Sequence, residues 1–265
     1  MKAVIGFAVA SIAIFTPSSA KRIFYNAGDL DGWDYILKEN NGTVQVDKEI
    51  TYDGDTSIKM TQTYTPGYKG RYHSEVHHNN RGYKRGDEFF YGFSFRLAED
   101  WDFQPQSYNL AQFIANREGA GCGNDDWKPS TLFWLEDDQL ASRIVSGPFW
   151  QPNCTRDIEE FRNLTAIRAG EWYRVMVHAS WQNDTLGFYK MWVDDKPVLN
   201  LQNRKTTLDD DSIYQLHVGL YANGWHDDEE MLGNQTYRQV WYNEIVMGTE
   251  LLDVQIGKAD ALEYN

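Results

Sequence analysis

Three short stretches of the chain carry side chains able to bind an anion and move a proton. The first is His73-Ser74-Glu75-Val76-His77, with Arg71 just before it and His78 just after. On an extended strand over residues 71–76, Arg71, His73, Glu75 and His77 project from one face. A face of that composition is not a core face. The second is Gln112, set in the apolar run Leu110-Ala111-Gln112-Phe113-Ile114; an amide there needs partners or a polar cleft. The third lies in residues 214–223. Tyr214, Leu216, Val218, Leu220 and Ala222 make an apolar face, which leaves Gln215, His217, Gly219 and Tyr221 on the other. A glycine between His217 and Tyr221 removes bulk where a ligand would approach the strand. Zinc is a poor occupant of the first stretch: His73 and His77, four residues apart, stand about 13 Å apart on a strand, too far to share one ion.

The elements that position these residues are strands. Period-two alternation runs through residues 89–97, 173–181, 188–193, 214–222 and 240–247, with Gly, Asn and Asp between them. Residues 158–164 read as one short helix. Many strands of this spacing predict an all-β fold, a jelly-roll sandwich of two antiparallel sheets. The 265-residue length suits a single such domain. Aromatic residues reach 15%, including 10 Trp and 16 Tyr, which favours strands and sugar-stacking surfaces. The net charge of -14 argues against nucleic acid or an anionic membrane as partner. Against that charge, residues 69–85 hold Lys69, Arg71, Arg81, Lys84 and Arg85 with a single acid, Glu75, and three of the six histidines.

At the amino terminus, Lys2 precedes the apolar run 3–15 and then Thr16-Pro17-Ser18-Ser19-Ala20. This is the pattern of a signal peptide over residues 1–20. The dibasic pair Lys21-Arg22 suits a second trimming step, which leaves one domain over residues 23–265. A secreted, extracellular and monomeric protein follows as the expectation. An oxidising compartment favours a disulfide between its two cysteines, Cys122 and Cys154. Five N-x-Thr acceptors, Asn41, Asn153, Asn163, Asn183 and Asn234, suggest a glycoprotein, with Asn153 handicapped by its neighbour Cys154.

Taken in order, the three stretches resemble β-jelly-roll polysaccharide lyases. Family 7 alginate lyases carry an Arg-Ser-Glu-Leu-Arg strand, a Gln-Ile-His strand and a late Tyr-Phe-Lys-Ala-Gly-Val-Tyr-Asn-Gln strand. Here both motif arginines are histidines (His73 and His77), the motif histidine is Ile114 and the motif lysine is His217. The His-rich first strand and the secretory start make the mature chain look more like family 20, the fungal endo-β-1,4-glucuronan lyases. That resemblance implies β-elimination on an acidic polysaccharide. The uronate carboxylate is neutralised, the C5 proton is removed and the C4–O bond breaks, leaving a 4,5-unsaturated end. In β-1,4-linked glucuronate H5 and O4 lie on one side of the ring, so one flank of the site handles both proton transfers. The resemblance assigns Tyr221 as base and acid, acting from a phenolate whose pKa nearby cations lower from about 10. His73 is the next candidate base and Gln112 the carboxylate partner. Arg71, His77 and His217 would bind uronates, with Trp225 and His226 at the cleft end. It also implies a structural calcium ion between the first and last strands, with Asn26, Asp55 and Asn243 as candidate ligands, and no organic cofactor.

Other readings remain open at this level. An alginate or other uronan lyase would use the same residues. A retaining glucanase needs two carboxylates about 5–5.5 Å apart, and no Glu-x-Asp-x-x-Glu pattern occurs; Asp227-Asp228-Glu229-Glu230 reads as a solvated charge run. A non-catalytic jelly-roll lectin would need only the aromatics.

Overall fold

The computed structural model describes residues 21–123 and 127–255, so the expected leader lies outside the described residues. Alternation produces two sheets. One contains β2 (Tyr35–Lys38), β5 (His73–Tyr83), β7 (Tyr108–Asn116), β8 (Trp127–Glu136), β9 (Gln139–Ser146), β10 (Asp157–Ala166) and β14 (Tyr214–Tyr221). Their order is β10-β9-β8-β7-β14-β5-β2. The other contains β1 (Arg22–Asn26), β3 (Thr43–Asp47), β4 (Ser57–Thr63), β6 (Glu88–Leu97), β11 (Trp172–Ser180), β12 (Phe188–Val193), β13 (Lys196–Leu201) and β15 (Tyr237–Gly248). It runs β13-β12-β11-β6-β15-β4-β3, with β1 also on β15. Every one of these strand pairs is antiparallel, and the two sheets face each other as a jelly-roll sandwich. Two short helices, α1 (Asn223–Asp227) and α2 (Leu251–Val254), follow β14 and β15.

The core lies between the sheets and is rich in rings. Trp181 stacks on Tyr83 at 3.8 Å between centroids, and Tyr83 on Tyr214 at 5.0 Å. Such bodies bury large apolar areas, and their polar tips find partners: the Tyr83 hydroxyl donates to Ser130 Oγ at 2.5 Å, and Trp181 Nε1 donates to the Tyr91 hydroxyl at 3.1 Å. Behind the first motif, Gln62 of β4 donates to Ser74 Oγ of β5 at 2.8 Å, a buried polar tie between the sheets. A disulfide joins Cys122 in the β7–β8 connection to Cys154 in the β9–β10 connection, with Cα atoms 5.3 Å apart.

Three local expectations need correction. Residues 158–164 are not helical; they belong to β10, an edge strand paired with β9. The pairing slips between Phe161 and Thr165, where Asn163 takes φ +57°. That irregularity brings Phe161 and Leu164, three residues apart, against the core, which mimics helical spacing. Arg71 lies before β5, which starts at His73. Gly219 makes no room for a ligand. Its φ is +157°, and a Cβ there would stand 2.3 Å from the Ser74 carbonyl oxygen and 2.5 Å from Glu75 Cα. It sits where β14 gains a residue against β7, between Val218 and Tyr221. The glycine serves strand packing at a bulge, a device that re-aims neighbouring side chains. Replacing Gly219 with Ala is expected to cost roughly 1–3 kcal/mol, read as a lower thermal midpoint with the secondary structure retained.

Candidate active site

Register across the seven-stranded sheet sets the outer-face residues in two rows. In the first, His73 faces Tyr221, Tyr221 faces Asn109 and Asn109 faces Trp134. In the second, Tyr35 faces His77, then His217, Gln112, Leu132 and Arg143 follow in turn. Glu75 lies between the rows, opposite Gly219. These residues point away from the core, yet His73 and Tyr221 are each only 8% exposed, His77 7%, His217 4% and Gln112 3%. The polar face is therefore recessed.

Each row is tied by ring stacking. His73 lies on Tyr221 with centroids 3.8 Å apart, and His77 on His217 at 4.0 Å with planes 7° apart. His73 Nδ1 meets Glu39 Oε2 at 2.6 Å, a bond that fixes the ring and leaves Nε2 as the nitrogen available to a substrate. Arg71 hydrogen-bonds the Tyr221 side chain. An arginine only donates, so it occupies the phenol oxygen and the O–H points elsewhere. Glu75 is fully buried and acceptor-only when ionised. The Gln112 amide nitrogen donates to both its oxygens, at 3.0 and 3.2 Å, and His217 Nδ1 lies 3.3 Å from Oε2.

The electrostatics follow from burial and these neighbours. Desolvation pushes the Glu75 carboxyl up, but His73, the His217 hydrogen bond and the His217 and His77 charges outweigh it, leaving it below its ordinary value. Desolvation also raises Glu39, and the His73 hydrogen bond and charge, with Arg71, bring it below its ordinary value. Burial and then the stacked His217 pull His77 down to about 4. Tyr221 moves the opposite way from the expectation. Burial first, and then Asp227, push its phenol up, and Arg71 offsets only part of this. The resting side chain is a neutral phenol, not a phenolate.

The structure thus brings His73, Gln112, Tyr221, Arg71, His77 and His217 onto one recessed face. It does not bring the whole basic stretch there: Lys69 pairs with Glu229, and Arg85 with Asp209 and Asp211. Trp225 is a core residue, 1% exposed and donating to the Tyr108 hydroxyl, so it does not line the cleft. His226 is half-buried beside Asp227. Sequence reading missed Glu39, because only the pairing of β2 with β5 places it at His73, and Glu75 as the anchor of Gln112. Of the sequon asparagines, Asn41, Asn153, Asn163 and Asn234 are exposed, whereas the Asn183 amide nitrogen donates to Asp209.

For calcium, the three candidates fit unequally. Asn26 Oδ1 already accepts the Gly28 and Asp29 N–H groups at 2.9 and 3.2 Å, which leaves it unsuited to a cation. Asn243 is buried; its Nδ2 donates to the carbonyls of Asp53 and Thr56 at 3.2 and 2.6 Å, while its Oδ1 is buried without a hydrogen-bond partner. Reversing that amide gathers three oxygens about one point, a hard-cation donor set. Asp55 lies exposed in the same loop.

A two-sheet jelly roll with imidazole, phenol, guanidinium and carboxamide groups in one recess is the architecture of a carbohydrate-active enzyme. The chain belongs to the polysaccharide lyases, whose family model matches residues 25–246. Among solved structures it is similar to an endo-β-1,4-glucuronan lyase from the fungus Trichoderma reesei, at 57% identity and TM-score 0.87, over 88% of this chain and 98% of that one. The cellulose-induced protein Cip1 shares the fold at 13% identity and TM-score 0.50, over 82% and 91% of the two chains. Alginate lyase A1-II', of polysaccharide lyase family 7, aligns at 11% identity and TM-score 0.49, over 75% and 82%. No curated protein matches the chain significantly.

The site also makes stability depend on pH. The His77 pKa is depressed to about 4 from 6.5, so between those values the unfolded chain binds the extra proton and acid destabilises the fold. Glu75, held below 4.5, contributes stability above that value and loses it as the pH falls further. Thermal midpoints should therefore fall steadily below about pH 6.5, and His77→Gln should flatten the upper part of that fall; an unchanged slope would contradict the assignment.

Proposed function

We propose that this protein is a secreted lyase that cuts β-1,4-glucuronan internally by β-elimination. The observation that carries the reading is the stacked His73–Tyr221 pair, with Glu39 on one ring and Arg71 on the other. The 57% identity to the Trichoderma reesei enzyme supports the choice of glucuronan. Because Tyr221 rests as a neutral phenol, the two proton transfers divide. His73 Nε2 takes H5, and Glu39 stabilises the imidazolium that results. The Tyr221 O–H gives its proton to the departing O4, and the Arg71 guanidinium at its oxygen favours that loss. Both groups stand on one flank, as syn elimination requires. As H5 leaves, charge builds on the uronate carboxylate, where preorganised donors act most strongly. Gln112 Nε2 carries two hydrogens; one serves the shared contact with Glu75 and the other meets the carboxylate. His217 and His77 extend the floor under the neighbouring sugar.

The test is to follow the ultraviolet absorbance of the unsaturated uronate with purified protein. Glucuronan should give a rise and alginate little. Tyr221→Phe and His73→Ala should each lower kcat by at least ~100-fold with KM nearly unchanged. New reducing ends without the absorbance would mean hydrolysis, and binding without either would mean a lectin.

Calcium is proposed as a structural ion held by Asn243 with the Asp53 and Thr56 carbonyls, supported by the orphaned Asn243 Oδ1. Added calcium should raise the thermal midpoint through binding to the folded state alone, a chelator should lower it, and Asn243→Ala should abolish the response. A midpoint indifferent to both would contradict the site.

A further inference from the structure

Arg143 takes no part in the elimination, yet it stands on the same sheet face. It stands on β9 in the second row of the outer face, directly opposite Leu132 on one side and Glu160 on the other. Other arginines of this acidic protein have carboxylates: Arg85 has Asp209, Arg117 has Asp210, Arg162 has Glu136 and Glu160, and Arg204 has Glu159. Glu160 is thus already engaged. Among the described residues Arg143 has no such ion pair, and its Nε is buried without a hydrogen-bond partner.

Its electrostatic neighbours add to this. Burial is the main cause that draws the Arg143 guanidinium down, to about 10, and the charge of Arg156 adds to it. Arg156 is itself held over the Phe149 ring, 5.3 Å from its centroid. A largely buried guanidinium with an unmet donor gains from an anion that can accept from it. The recess supplies the place for that anion. Register puts Arg143 in the row of His217 and Gln112, two strands beyond Gln112, and the charges of Glu160 and Asp227 offset only part of its burial. Its strand, three away from β14 at about 4.8 Å each, is too distant for it to grip the sugar being cut.

We propose that Arg143 binds the carboxylate of a uronate beside the one undergoing elimination, and so helps to select a polymer that is charged at successive sugars. The inference rests on the lyase reading of the site and names a binding residue for it. A planar guanidinium suits this task, because it can offer two parallel N–H donors to a carboxylate.

Two measurements test it on the full chain. In steady state on glucuronan, Arg143→Gln should raise KM about tenfold with kcat within about twofold, and its rate should respond less to added salt. Arg143→Lys, which keeps the charge but not the fork, should fall between. In titration calorimetry with a glucuronan oligosaccharide, Arg143→Gln placed in a Tyr221→Phe background should bind about tenfold more weakly than Tyr221→Phe alone. An unchanged KM with unchanged binding would overturn the proposal, as would a fall in kcat with KM unchanged. If the wild-type protein fails to cut glucuronan, the lyase reading fails, while the calorimetry still judges Arg143 on its own.

Discussion

A carboxylate sealed from water at the centre of a sheet face is the constraint that organises this site. Glu75 is fully buried, and a buried charge persists only if it is paired and hydrogen-bonded. The Gln112 amide and the His217 imidazole meet that demand from β7 and β14, the two strands next to β5 on that side. One acid thus fixes the side chains of three adjacent strands in a single register. Gly219 belongs to the same constraint: only a residue without Cβ allows β14 to lie so close to β5 at Glu75.

From that anchor the two rows take different work. The row of His73 and Tyr221 has a carboxylate on the imidazole and a guanidinium on the phenol, which polarises the pair in opposite senses. In the proposed reaction one ring accepts a proton and the other releases it. In the row of His77 and His217, burial and then the neighbouring His217 hold His77 low, and the two rings form an aromatic floor flanked by Tyr35 and Trp127. Guanidinium groups stand at the margins, Arg71 at the first row and Arg143 at the second. On the proposed reading, a polymer of repeated carboxylates meets donors at more than one sugar, in a protein whose net charge would otherwise repel it.

Much of this was legible in the sequence, because alternation reports the face on which a side chain lies. The apolar residues of β6, β11, β12 and β14 announced their strands, and the same rule set His73, Glu75 and His77 apart from the core. What the sequence hid depends on register and burial. Glu39 reaches His73 only through the pairing of β2 with β5. Gly219 looked like space for a ligand because a sequence does not display φ. The resemblance gave Tyr221 the role of a phenolate among cations, whereas the burial that outweighs Arg71 is not visible in a sequence. The bulge in β10 counterfeited a helix. Arg143, the one charged residue of β9, gave no signal until its unmet donor was seen in three dimensions.

In the proposed mechanism the proton is taken by an imidazole and returned by a phenol that is neutral at rest. The pH dependence of kcat on glucuronan, from about pH 5 to about pH 10, tests it most directly. Dependence on a neutral imidazole and a protonated phenol predicts that kcat rises from acid pH, levels off, and stays level until the fold or the phenol titrates. His73→Ala should remove the acid limb together with most of the rate. A kcat that keeps climbing tenfold per pH unit to the alkaline limit would mean that Tyr221 must ionise first, and would contradict the division of roles drawn from this site.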